Sequence, residues 1–300
     1  MNNWDRQYRL KAGVAGSRGF QVGEPDEHTK RALHINFSIE KTDGSALNTT
    51  KIQLWNLTKD QISILSKEQC SVELFAGYGD SRPCIFKGTV SLVTEDLDGS
   101  DRMVEFEVVD GFAELNDTYV SLSYSGKIQV KKILEDTASK LALPVRFSPK
   151  ALRRMSSKYF SNGYAFAGKA KNVLTEMCNK AGVTWTIQNC VLQVVSKNET
   201  ISKIVHKLSK ETGLIGIPKR LYNSAVSAST DESGTESGTQ GTLYGYEVTF
   251  FMNGAFCIND LVYLESKIVT GNFRISTLKI EGDNLSGDWQ CTAELVEAGV

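Results

Sequence analysis

A long alternating hairpin written twice is the feature that most constrains this chain. Val90–Asp110 reads VSLVTEDLDGSDRMVEFEVVD, a strand, an Asp-Gly turn and a second strand. Ile275–Glu297 reads ISTLKIEGDNLSGDWQCTAELVE and repeats that layout around another acidic, glycine-bearing turn. Alternation at period two marks a strand with one dry face and one wet face. In the first copy Val104, Phe106 and Val108 share one face, and Glu105 and Glu107 share the other. The apolar set is expected to bury in a β-domain, which leaves Glu105 and Glu107 on the opposite face, towards solvent or a partner.

The strands around each hairpin repeat too. HINFSIEK, KIQLWNL and SVELFAGY precede the first hairpin; YEVTFFMNG and NDLVYLES precede the second. Between KIQLWNL and SVELFAGY, TKDQISILSKEQ predicts one short helix, with Thr58 as N-cap, Asp60 in the first turn, and Ile62 and Leu65 inward. Strand, interruption, strand and long hairpin therefore come in the same order at both ends of the chain.

The period changes in the middle. In SGKIQVKKILEDTASKLALP the residues Ile128, Ile133, Leu134, Ala138 and Leu141 mark an apolar stripe, and Pro144 ends the helix. KNVLTEMCNKAG predicts a second helix with Gly182 as its terminating left-handed residue. VTWTIQNCVLQVVS then alternates as a hairpin around Gln188-Asn189. The fold class is β-rich α+β: two β-domains, 1–120 and 209–300, flank a helix-plus-hairpin module at 121–208. Ser224–Thr242 is nearly free of large apolar residues and is expected to be a flexible insertion in the last domain, since it cannot bury enough surface to offset its ordering entropy.

Lys plus Arg number 34 against 35 Asp plus Glu, a net charge of −1 that gives no bulk attraction to nucleic acid or anionic membrane. No apolar run reaches the roughly 18 residues of a membrane span, and no membrane anchor is expected. The six cysteines sit singly and read as free buried thiols.

Residues that could carry chemistry are scattered. EDLDGSD groups Asp96, Asp98 and Asp101 but lacks the distal Glu of a calcium loop and lies between two strands, so it reads as a hairpin turn. His28, His34 and His206 form no metal-binding or triad spacing. GVAGSRG has the wrong glycine spacing for a dinucleotide loop. No catalytic centre, cofactor site or metal site is expected, and the chain is read as a non-enzyme.

The run from KIQLWNL to VVDG resembles the first domain of phage baseplate hub proteins, the late-control-D or gp27-like family of contractile tails. The resemblance rests on Asn56-Leu57 ending a strand, Ala76-Gly77-Tyr78, Ile85-Phe86-Lys87-Gly88 and Asp110-Gly111. The late segments GLIGIPKR, YEVTFFMNGAFCINDLVYLES and GDNLSGDWQCTAELV resemble that family's last domain, through Gly282-Asp283 and Asp288-Trp289. The Ser224–Thr242 insertion departs from the family pattern.

The resemblance implies a structural homotrimer in the virion's tail baseplate, made in the bacterial host cytoplasm. Its tandem tail-tube-like β-barrels would form a pseudo-sixfold ring that joins the hexameric tail tube protein to the trimeric central spike protein. It would touch other baseplate proteins, and DNA would pass transiently through its lumen. A peptidoglycan-active or sugar-binding tail-tip component, or an adaptor of a non-contractile tail or injection machine, are the alternative readings.

Overall fold

The structure is a computed structural model that describes residues 5–23, 32–115, 118–202, 204–223 and 242–298. The first β region holds β1 (Arg6–Gly13), β2 (Phe20–Val22), β3 (Ile35–Thr42), β4 (Thr49–Trp55), α1 (Lys59–Leu65), β5 (Ser71–Tyr78), β6 (Cys84–Asp98) and β7 (Asp101–Val109). The start of α1 follows from its sequence. Gln61 N donates to Thr58 Oγ1, and Thr58 N donates to Gln61 Oε1, a reciprocal cap that satisfies two orphan donors.

A short helix α2 (Phe112–Leu115) leads to the middle module: β8 (Tyr119–Tyr124), β9 (Ile128–Gln129), α3 (Val130–Lys140), β10 (Val145–Phe147), α4 (Pro149–Ser157), β11 (Tyr159–Phe160), β12 (Tyr164–Lys169), α5 (Ala170–Ala181), β13 (Thr184–Gln188) and β14 (Val191–Val195). The stripe of α3 buries Ile133, Leu134 and Ala138 against Val173, Leu174 and Met177 of α5, a core separate from that of the β regions. Gly182 ends α5 at φ 65°, where its missing Cβ avoids the left-handed penalty.

The second β region is β15 (Val205–Leu208), β16 (Leu214–Asn223), β17 (Thr242–Phe251), β18 (Leu261–Glu265), β19 (Thr270–Asp283) and β20 (Trp289–Glu297). Residues 224–241 of the expected insertion lie outside the described residues.

Six strands of one β region correspond to six of the other. Along the sheet the first runs β3-β4-β7-β6-β5-β1, and the second runs β16-β17-β20-β19-β18-β15. The paired strands of the long hairpins match residue by residue, and the second turn is two residues longer. Each slips register once, between Val90 and Leu92 in β6 and between Ile275 and Thr277 in β19. In each the extra residue is a serine whose hydroxyl donates to a glutamate carbonyl on the facing strand: Ser91 to Glu107, Ser276 to Glu294. Two differences stand out among the described residues: β15 runs parallel to β18 while β1 runs antiparallel to β5, and β2, paired with β1, and α1 have no counterpart in the second region.

The regions are also joined. β19 pairs antiparallel with β3 over Thr277–Asp283 against Asn36–Thr42, which makes one 13-stranded sheet. Beneath it Phe37, Ile39, Phe106, Ile280, Trp289 and Leu295 belong to a single hydrophobic core. Burying side chains such as these is worth roughly 1.5–3 kcal/mol each, so the join is held by the same kind of burial as the interior of each region.

Candidate assembly surface

Strands β16, β17, β20, β19, β3, β4, β7 and β6 lie side by side in that order, and every neighbouring pair is antiparallel. One face of this run packs on the core. Period-two alternation sends the other half of the side chains outward, and between β16 and β7 that face carries Glu40, Glu105, Glu107, Glu247, Glu281 and Glu294 against Lys51, Lys219 and Lys279. It is a polar wall on which carboxylates outnumber cations.

Glu105 and Glu107 sit on this outward face, with Val104, Phe106 and Val108 buried behind them. Glu105 is bound to Lys51 Nζ at 2.9 Å and accepts from Gln53 Nε2 at 2.8 Å. The Lys51 hydrogen bond holds its carboxyl below the usual glutamate range. Lys219 meets Glu247 at 2.6 Å and Lys279 meets Glu281 at 2.7 Å. Glu40, Glu107 and Glu294 supply the net charge. The wall has carboxylates in abundance but no isolated, desolvated pair tuned for proton transfer.

The remaining polar candidates have structural work. In the EDLDGSD turn, Asp98 accepts from Trp55 Nε1, Asp101 accepts from Asn56 Nδ2, and Glu95 pairs with Arg102. His34 stacks on Trp55 at 3.9 Å and bonds Asp283; His206 lies 3.7 Å from Asp260, against Phe256. His28 lies outside the described residues. The six thiols are free, and among the described residues no group of three His, Cys, Asp or Glu is placed to hold a metal ion.

Two polar features near this surface escaped the sequence reading. The first is the clasp between module and sheet. Asp110, fully buried, accepts from the backbone N–H groups of Asn189 and Cys190, and Lys41, also buried, donates to Ile85 O at 2.6 Å and Asn189 Oδ1 at 2.9 Å. Burial drives the Asp110 carboxyl up and the Lys41 ammonium down from their ordinary values. The second is regional charge, hidden by a whole-chain balance of −1. Residues 118–196 hold twelve Lys and Arg against three Asp and Glu. On α4 and its flanks Lys150, Arg153, Arg154 and Lys158 are exposed, while Lys127 and Lys180 lie over the rings of Tyr159 and Phe160 at 4.3 and 4.1 Å. Counting charge by segment would have found this basic face.

Neither a protein-family model nor a curated protein sequence matches the chain. Solved structures do match. The 43 kDa tail protein of prophage MuSo2 from Shewanella oneidensis superposes with TM-score 0.62 at 13% identity, over 98% of each chain. The tail protein from Neisseria meningitidis MC58 gives 0.63 at 10% identity, again over 98% of each. An E. coli component of the type VI secretion system, described as structurally similar to the T4 bacteriophage tail proteins gp27 and gp5, gives 0.59 at 8% identity over 96% of this chain and 77% of its own. Two β regions flanking a small α+β module, joined through β3 and β19, are thus this chain's version of the fold of phage tail proteins.

Proposed function

We propose that this chain is the structural hub of a phage or phage-like tail tip. Three copies surround one axis, and their two tube-like β regions alternate to give a pseudo-sixfold ring between a hexameric tail tube and a trimeric central spike. The outward polar wall lines the channel, with Glu105 and Glu107 facing the lumen, where its net negative charge repels DNA phosphates and lets the genome slide. Contacts to other baseplate proteins complete its partners, and no catalysis is required of it.

The duplicated β region carries this reading. A sixfold neighbour above and a threefold neighbour below are both matched by a subunit that is one unit to the spike and two equivalent units to the tube. The tail-protein fold of the solved relatives supports a place in the tail.

The test is an image of the native tail tip resolving subunit stoichiometry. Three copies per layer, with both β regions at one height along the axis, are expected. Six copies, or β regions stacked at different heights, would refute the hub.

A further inference from the structure

The intrachain junction between β3 and β19 has a counterpart with one half missing. By the hairpin match, β6 is the equivalent of β19, and Ser91–Asp98 is the equivalent of Ser276–Asp283. The β19 arm is covered by β3, and its Leu278 and Ile280 are each 1% exposed. Among the described residues the β6 arm pairs only with β7, and its Leu92 and Leu97 stand 53% and 73% exposed. At the far end of the run, β16 is the equivalent of β3. Among the described residues it too pairs on one side alone, with β17, and its Tyr222 is 55% exposed.

We infer that the β6 arm of one subunit pairs with the β16 edge of the next, in the register that the β3–β19 junction prescribes. This rests on the ring reading. Lys219 faces Glu247 on β17 as Ser38 faces Lys51 on β4, so Lys219 holds the place of Ser38. Glu281 faces Ser38, and the position equivalent to Glu281 is Asp96. Asp96 of one subunit therefore faces Lys219 of its neighbour, Glu95 faces Arg220, and Val93 faces Tyr222.

Three observations agree with that register. First, the pairs are complementary in charge: the arm offers Glu95 and Asp96 where the edge offers Lys219 and Arg220, all exposed, with Glu95 shared with Arg102 and Lys219 with Glu247 of their own chains. Second, direction fits. Eight strands alternating in sense leave β16 and β6 running oppositely, so rotating a copy about the ring axis brings them together antiparallel and continues the sheet. Third, Pro218 is buried at the position equivalent to Phe37, next to the β16 bulge, so its missing N–H ends the usable ladder one residue before Lys219.

Paired cysteines test the register in assembled tails. Residues directly opposite in an antiparallel pair have Cα atoms about 4.5–5.5 Å apart, within disulfide reach. Within one chain the two edges are separated by seven strand spacings, of order 30 Å, so no internal bridge can form. The variant Asp96→Cys with Lys219→Cys is expected to give linked chains on oxidation, in a ladder that ends at three. Asp96→Cys with Leu221→Cys, two residues out of register, should link at least tenfold less. Reversing Glu95 and Asp96 to lysine should block assembly, and reversing Lys219 and Arg220 to glutamate in the same chain should restore it. Trimeric tails without the Asp96–Lys219 link would overturn the register while leaving the hub intact. A ladder running past three would keep this contact and refute the closed ring.

Discussion

Asp110 offers the sharpest test of how the module is held. Its carboxylate caps the β13–β14 turn by accepting two backbone N–H groups, from Asn189 and Cys190, both held at positive φ. Asp110→Ala leaves both part-buried donors without their acceptor. Each orphaned donor costs roughly 1–3 kcal/mol. Relief of the carboxylate's own burial penalty, visible as its raised pKa, offsets part of this. The net expectation is a loss of about 2–4 kcal/mol, which in a chain of this size lowers the melting midpoint by roughly 4–8 °C.

The sign with pH is equally specific. A carboxyl raised in the native state binds its proton more tightly there than in the unfolded chain, so its contribution to stability falls as pH climbs from the ordinary 3.8 through the raised native value. Asp110→Ala and Asp110→Asn should both lose that decline, with Asn, which keeps one acceptor, the milder in stability. Thermal unfolding of wild type and both variants between pH 3 and 8 provides the measurement. A shift under about 0.5 kcal/mol for Asp110→Ala would place it among ordinary surface changes and refute the clasp.

Gly282→Ala should destabilise the junction of the two β regions, since its Cβ would lie 2.3 Å from the Phe37 ring; a loss of about 1–3 kcal/mol by urea unfolding is expected. Glu105→Gln should flatten the acid side of the stability profile. The native carboxyl sits below its ordinary 4.5, so its stabilisation is present above that value and fades as pH falls through the lowered one, a trend that melting midpoints between pH 6 and 3 would follow. Replacing residues 224–241 with a short Gly-Ser turn should leave the melting midpoint within a few degrees, because Asn223 and Thr242 already face each other in the β16–β17 ladder.

Period-two patterning made β3 to β7, β17 to β20 and the β13–β14 hairpin legible, and cap residues marked two helix ends: Thr58 opens α1, and Gly182 closes α5. The order of elements in the two β regions could be read because each strand carries its own alternation. Their fusion into one sheet could not. Whether β19 pairs with β3 depends on two segments over two hundred residues apart, and Gly282, the residue that lets Phe37 pack against that strand, looks in sequence like turn text. α4 was missed because PKALRRMSS shows only Ala151 and Met155 as buried anchors within a strongly basic stretch. Asp110 reads as a strand-end residue, and nothing local announces that its partners lie at 189 and 190.

The two equivalent junctions differ in chemistry, and the difference has a physical purpose. At β3–β19 the core-side pairs are Phe37 with Gly282 and Ile39 with Ile280, apolar and buried, fit for a contact that forms during folding and never opens. At the proposed β6–β16 contact the corresponding core-side pair is Glu95 with Arg220, and the outward pair is Asp96 with Lys219. An unpaired apolar arm with two open edges would invite any exposed strand to add to it. Charges of one sign on the arm and the other on the edge keep like edges apart: two β6 arms repel, two β16 edges repel, and only the head-to-tail encounter is attractive. That polarity selects the heterologous contact a ring requires over the isologous contact of a twofold dimer. The contact is then one that salt weakens, since exposed pairs are screened at physiological ionic strength. Raising salt should therefore slow ring assembly while leaving the β3–β19 junction and the fold untouched, a separation that sedimentation and circular dichroism on the same samples would reveal. Equal loss of assembly and of fold would show that the two junctions share one chemistry after all.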